Sequence, residues 1–133
     1  MKYVLDTNII TAILKGDEKL NQKIKKSILD GESILINAIS YYEIKRGLLA
    51  INATTKLKNF EFFCNSFGLL LLDTLSIFDI AAEIYSDLRN RGKPIKDADI
   101  LIASIVIFND FVLVSNDTHF IRIQNLKLEN WLN

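Results

Sequence analysis

The sequence predicts an α/β fold: one domain over residues 1–133 whose central, mainly parallel sheet of four or five strands is flanked by helices. Three observations predict it. Short apolar runs recur along the chain without polar alternation, as strands covered on both faces require. Helical patterns fall between those runs, and strand–helix–strand units close right-handed into parallel sheets. Five glycines and one proline in 133 residues leave no visible linker, and there is no internal repeat or low-complexity tract. A chain of this length is large enough for a sizeable core and short for two domains.

The first strand is predicted at 2–5. The next are "SILINAI" at 33–39, "GLLLLD" at 68–73 and "FVLVS" at 111–115, with a possible edge strand in "LKLE" near the end. Leu20, Ile24 and Ile28 recur at four-residue spacing ahead of Gly31, which predicts a helix closed by that glycine. Ile77, Ile80, Ala81, Ile84, Tyr85 and Leu88 follow the i, i+3, i+4, i+7 rule, closed by Gly92 and Pro94. "ADILIASIVIF" is apolar nearly all round and predicts a central buried helix.

Composition narrows the classes. Half the residues are hydrophobic and 24% are charged, which fits a folded globular chain and excludes a disordered one. The longest apolar stretches, "LLLL" at 69–72 and parts of 100–108, fall well short of a membrane span. The N-terminus lacks a basic leader followed by an apolar core, so no signal peptide is expected. Cys64 is the only cysteine; it cannot form an internal disulfide, which suits a reducing cytoplasm, and packing is its expected role. The formal charge is zero, from 16 basic and 16 acidic residues, unlike a nucleic-acid coat protein. Four acids set aside as ligands would leave 16 basic against 12 acidic residues outside the site.

In open α/β sheets ligands gather outside the carboxyl ends of the strands, and acids stand at those junctions. Asp6 leaves the first strand in "YVLDTN". Glu43 follows the second in "SYYEIKRG", Asp97 and Asp99 open the buried helix in "KDADILIA", and Asp117 leaves the last long strand in "VLVSNDTHF". Each has an ordinary structural explanation. Ser40 to Glu43 matches a capping box. Asp97 is a natural N-cap and Asp99 favours the positive end of the helix dipole. Thr7 or Asn8 would cap the first helix, leaving Asp6 in a turn, and Asp117 would form an Asx-turn.

Together the same acids support a second explanation. Carboxylates brought to separations of ~5 Å repel by roughly 3 kcal/mol per pair at an effective dielectric of ~20. Several such pairs rival a domain's whole stability of about 5–15 kcal/mol. A cluster of that kind must be partly protonated or hold a cation, and oxygen ligands select a hard ion, Mg²⁺ or Mn²⁺. Asn8 is placed to orient a ligand or its water.

The blocks "YVLDTNII", "YYEIKRG", "GKPIKDADILIAS" and "LVSNDTHFIRIQNLKLENW" resemble, in order and spacing, the PIN-domain endoribonucleases, specifically the VapC toxins of type II toxin–antitoxin modules. The likeness spans essentially the whole chain. It implies an acidic site at Asp6, Glu43, Asp99 and Asp117. The family's aspartate directly precedes the "ILIA"-like run, which favours Asp99 over Asp97. Its last block, a threonine or serine, one residue, then an aspartate three before a phenylalanine, falls on Ser115, Asp117 and Phe120. Asn8, Asp97 and Ser115 would stand behind the ligands.

The resemblance further implies metal-dependent cleavage of RNA, with Mg²⁺ or alternatively Mn²⁺ as cofactor, giving 5′-phosphate and 3′-hydroxyl ends. It implies a cognate VapB-like antitoxin that blocks the acidic pocket, and a homodimer, while the lone cysteine and short apolar runs point to a cytoplasmic protein with no membrane association. A metal-free ribonuclease commonly relies on paired general acid and base groups, often histidines; His119 is the only histidine, read as a solvated loop residue beside Asp117, with RNA contact as the alternative. Arg89, Arg91, Lys93 and Lys96 would contact phosphates or simply solvate a helix end, and Lys23, Lys25 and Lys26 mark a solvated face. Two rival readings are a non-catalytic PIN-like binding module and an aspartyl-phosphate phosphatase or receiver domain. The phosphatase wants a second aspartate two residues after the first, where Asn8 stands; the receiver wants a lysine at a later strand end, and "LVSND" offers none.

Overall fold

The computed structural model describes residues 1–132. Five strands, β1 (Lys2–Leu5), β2 (Ser33–Asn37), β3 (Gly68–Leu70), β4 (Val112–Val114) and β5 (Leu128–Glu129), form one sheet in the order β3-β2-β1-β4-β5. Every pairing is parallel. Six helices connect them: α1 (Thr7–Leu14), α2 (Glu18–Leu29), α3 (Ala38–Ala50), α4 (Thr54–Asn65), α5 (Leu75–Asn90) and α6 (Asp97–Asn109).

Strand alternation sorts the core into two layers. Tyr3 and Leu5, with Ile34, Ile36, Val112 and Val114, face Ile9, Ile10, Leu20, Ile24, Phe60 and Phe63 from α1, α2 and α4. Val4 and Leu113 face the other way, onto Ile77 and Leu88 of α5, Ile102, Ile105 and Val106 of α6, and Phe120. Successive strand residues point to opposite faces, so a segment buried on both must be apolar, as β4 is throughout and β1 is from Tyr3 to Leu5 after the exposed Lys2. The expected α/β architecture is the observed one, and α6 is its central buried helix, with every position from Asp99 to Val106 buried except Leu101.

Several boundaries differ from expectation. β2 ends at Asn37, two residues early, because that side chain accepts a bond from the Ser40 N–H at 2.8 Å and starts α3. β3 stops at Leu70, and β4 loses one residue at each end. Ile28 is 49% exposed, whereas Leu20, Ile24 and Ser27 are buried. A strict four-residue repeat drifts by roughly 40° per step on a helix of 3.6 residues per turn, so Ser27 takes the inward position. Tyr85 likewise lies off the buried stripe of α5, which is carried by Ile77, Ala81 and Leu88. Gly31 and Gly92 follow α2 and α5 with φ of +82° and +69°, left-handed geometry that suits a residue without Cβ. Cys64 is half-buried and packs against the first core layer, as expected. Among the described residues, no helix is long and apolar enough to cross a membrane.

Candidate active site

The chain passes from β1 outward to β2 and β3, then returns to the other side of β1 as β4. The switch point therefore lies between β1 and β4, and a cleft of about 550 Å³ opens there at the carboxyl edge of the sheet. Asp6, Glu43, Asp99 and Asp117 all line it, with Lys15 and Lys96 among its other walls.

Asp6 is the N-cap residue of α1, but only through its backbone. Its carbonyl accepts from the N–H groups of Ile9 and Ile10, and its N–H donates to Val114 O. The buried carboxylate is thereby left for the cleft, so neither Thr7 nor Asn8 is the cap. Oδ2 accepts from the Ser115 hydroxyl at 2.7 Å and from the Asn8 amide at 3.2 Å. Burial pushes the Asp6 carboxyl above its ordinary range; the Ser115 and Thr7 N–H bonds pull it down, and the charges of Asp117 and Glu43 push it up.

Glu43 is not part of a capping box. Asn37 caps α3, Ser40 sits within the first turn, and Glu43 lies one turn further along the helix. Thr7 Oγ1 stands 2.9 Å from both Ser40 Oγ and Glu43 Oε1. A carboxylate only accepts, so the Thr7 proton goes to Glu43. Asn37 anchors this chain from below, donating to Ser40 Oγ and to Leu5 O at 3.0 Å each.

Asp99 stands in the first turn of α6 and is 7% exposed. Its Oδ2 has no hydrogen-bond partner among the described residues. Burial is the largest cause raising its carboxyl to about 6; Lys96 opposes this, and Asp6, Asp117 and Glu43 add to it. Lys96, not Asp97, is the N-cap residue of α6; Asp97 is the first helical residue, exposed and outside the cleft lining. An N-cap needs extended backbone, and the turn into the helix is made one residue earlier than the Asp97 side chain suggested.

Asp117 fills both of its expected roles. Oδ1 accepts from the His119 N–H at 2.8 Å, an Asx-type turn that opens a 3-10 turn over Thr118–Arg122, and the same side chain lines the cleft. Its own N–H donates to Ser115 Oγ at 3.0 Å. Asn8 and Ser115 thus stand behind the acids, with Asn8 Oδ1 also accepting from the Asn116 N–H.

Sequence reasoning missed two things. His119 is exposed, as expected, yet ligand atoms of Asp99, Asp117 and His119 lie within 4.8 Å of one another, a spacing that Asp6 and Glu43 do not share among the described residues. Its nearness in sequence to Asp117 was the available signal. Lys15, at the end of α1, was not singled out and lines the cleft; of the basic group ahead of α6, Lys96 alone does so. Arg91 is instead engaged by Asp87 and by the Arg122 carbonyl, both at 2.6 Å.

The donor set fits a hard divalent cation. Four carboxylates share one cleft, and a buried oxygen with no partner is costly unless something else satisfies it.

A fold of this kind with acids at the switch point defines a class, and comparison with known proteins agrees. The PIN domain model matches residues 3–126, and the chain belongs to that family. It is 32% identical to ribonuclease VapC2 of Rickettsia felis, over 98% of each chain. It superposes with a TM-score of 0.91 and 26% identity on a chain of the VapBC2 complex of Rickettsia felis bound to promoter DNA, covering 98% of this chain and 99% of that one. VapBC-1 of Haemophilus influenzae matches with a TM-score of 0.88 over 100% of both chains, at 24% identity, a likeness of fold.

Proposed function

We propose that the protein is a divalent-metal-dependent endoribonuclease of the VapC type, a single PIN domain over 1–133 acting as the toxin of a toxin–antitoxin pair. The observation that carries this reading is Asp99, buried in a cleft of acids with one carboxylate oxygen unsatisfied. The ribonuclease name of the 32% identical relative supplies the substrate class, RNA, and the VapBC complexes supply the partner class, a VapB-like antitoxin. Such a protein works in the cytoplasm, and homodimerisation is the expected assembly.

Asp6, Glu43, Asp99 and Asp117 are proposed to hold the metal directly or through water, with Mg²⁺ or Mn²⁺ suited to their oxygens. When bound, the ion acidifies water and neutralises charge gathering on the phosphoryl oxygens. The chain's own residues do the rest. Ser115 and Asn8 fix the Asp6 carboxylate, and Thr7 fixes Glu43. Lys15 and Lys96, on the cleft wall, are placed to meet the RNA backbone's phosphates. The proposed products are 5′-phosphate and 3′-hydroxyl ends.

The test is RNA cleavage by Asp6→Asn, Glu43→Gln and Asp99→Asn. Each is expected to lose cleavage by orders of magnitude with an unchanged circular dichroism spectrum, and EDTA should silence the wild type until a divalent ion is restored. Full cleavage after metal stripping, or in all three variants, rejects the reading.

A further inference from the structure

We propose that His119 is a direct ligand of the divalent ion in this cleft, and that its imidazole makes the site prefer Mn²⁺ to Mg²⁺. The inference rests on the nuclease reading only in taking this ion to be the one the enzyme uses.

Two observations carry it. Ligand atoms of Asp99, Asp117 and His119 fall within 4.8 Å of one another. Around an octahedral ion at roughly 2.1 Å, ligand atoms lie about 3–4 Å apart, so the triad closes with small side-chain adjustments. Independently, Asp99 is 7% exposed with its Oδ2 unpartnered among the described residues, a buried oxygen still lacking the group that would satisfy it.

The His119 ring is available for such a role. Its side chain is 50% exposed, and Nδ1 lies 3.3 Å from Asp117 Oδ1, beyond the usual N–H···O range. The Asx-type turn that Asp117 makes with the His119 N–H fixes the histidine backbone beside the acid without engaging the ring in that bond. Donor chemistry then sets the choice of ion. Mg²⁺ demands oxygen and dehydrates reluctantly, whereas first-row divalent ions accept imidazole nitrogen. With Asp6 and Glu43 acting through water, Asp99, Asp117 and one imidazole thus form a mixed direct ligand set that suits Mn²⁺.

His119 is the only histidine in the chain, so labelling does the assignment. Tag-free protein carrying ¹⁵N in histidine alone, loaded with Mn²⁺ alone, is measured by pulsed electron paramagnetic resonance beside the ¹⁴N protein. The expected result is a nitrogen hyperfine coupling that changes with the isotope. His119→Ala should lose it and bind Mn²⁺ about tenfold or more weakly, as for lost groups at metal sites generally, while Mg²⁺ affinity changes little. The wild-type isotope readout stands even where the variant misfolds. Bound Mn²⁺ without histidine coupling, or no Mn²⁺ binding at all, overturns the assignment. Metal-dependent RNA cleavage without nitrogen coupling defeats this inference and leaves the nuclease standing. Coupling with RNA intact under every divalent ion does the reverse.

Discussion

Thr7 donates its hydroxyl proton to Oε1 of Glu43 across 2.9 Å, joining the helix that leaves β1 to the helix that leaves β2. Because Ser40 and Asn37 continue the same chain of bonds down to Leu5 O, the position of Glu43 is tied to the end of the central strand. Thr7→Val keeps the shape and removes the hydroxyl. Loss of one hydrogen bond costs about 1 kcal/mol of stability, and cleavage should fall about tenfold or more as the carboxylate loses its orientation. Chemical denaturation and RNA cleavage, measured side by side, check the two effects.

Asn37 is fully buried and serves three partners, accepting from the Ser40 N–H and donating to Leu5 O and Ser40 Oγ. Asn37→Ala removes a helix cap and the two buried bonds its amide donates. The expected loss is about 2–3 kcal/mol, read as a shift in the urea midpoint. Asn37→Asp, which keeps the cap acceptor and loses the amide donors, should fall in between.

The Asp99 carboxyl sits at about 6, above the ordinary carboxylate range, and the Asp6 carboxyl is raised as well. A folded-state value above the unfolded one means that protonation favours the fold. In metal-free protein this stability is fully present below about pH 4 and is lost as pH rises through about 6. Scans of EDTA-treated protein between pH 4 and 7 should show the melting temperature falling with pH and levelling off above about 6, against the usual carboxylate trend. A divalent ion at ~100 times its Kd should return about 2.7 kcal/mol at the alkaline end. Asp99→Asn should abolish most of the pH dependence in the metal-free state.

Ser115 holds Asp6 Oδ2 at 2.7 Å, and that bond pulls the carboxyl downward. Ser115→Ala removes the pull, so Asp6 should rise further and stay protonated to higher pH. The acidic limb of the cleavage profile is then expected to move upward, with recovery of much of the activity at alkaline pH. A profile that only drops uniformly would show instead that Ser115 acts through structure alone.

Much of this architecture is legible in the sequence because burial on both faces leaves Tyr3–Leu5 of β1 and all of β4 as unbroken apolar runs, and the carboxylate that follows each run stands out. Asp6 and Asp117 are visible for that reason, and Asp99 because it heads a helix apolar on every side. Glu43 is visible as a residue but not as a role: Ser40 and Glu43 spell a capping box, and only the side chain of Asn37, which ends β2 early, shows that the box is not used. Ile28 and Ser27 exchange places because spacing alone does not fix helix phase over three turns. The approach of His119 to Asp99 depends on the 3-10 turn over Thr118–Arg122, a tertiary meeting that no local pattern records.

The bond between Ser115 and Asp6 spans 109 positions of chain, and β1 lies between β2 and β4 in the sheet. At about 5–20 residues per second of synthesis, the first strand waits on the order of ten seconds before its second neighbour leaves the ribosome. Until then one wall of the cleft does not exist. A nascent or prematurely terminated chain that stops short of β4 therefore lacks both Ser115 and Asp117, and its Asp6 carboxylate has neither its strongest hydrogen-bond donor nor its acidic neighbour across the cleft.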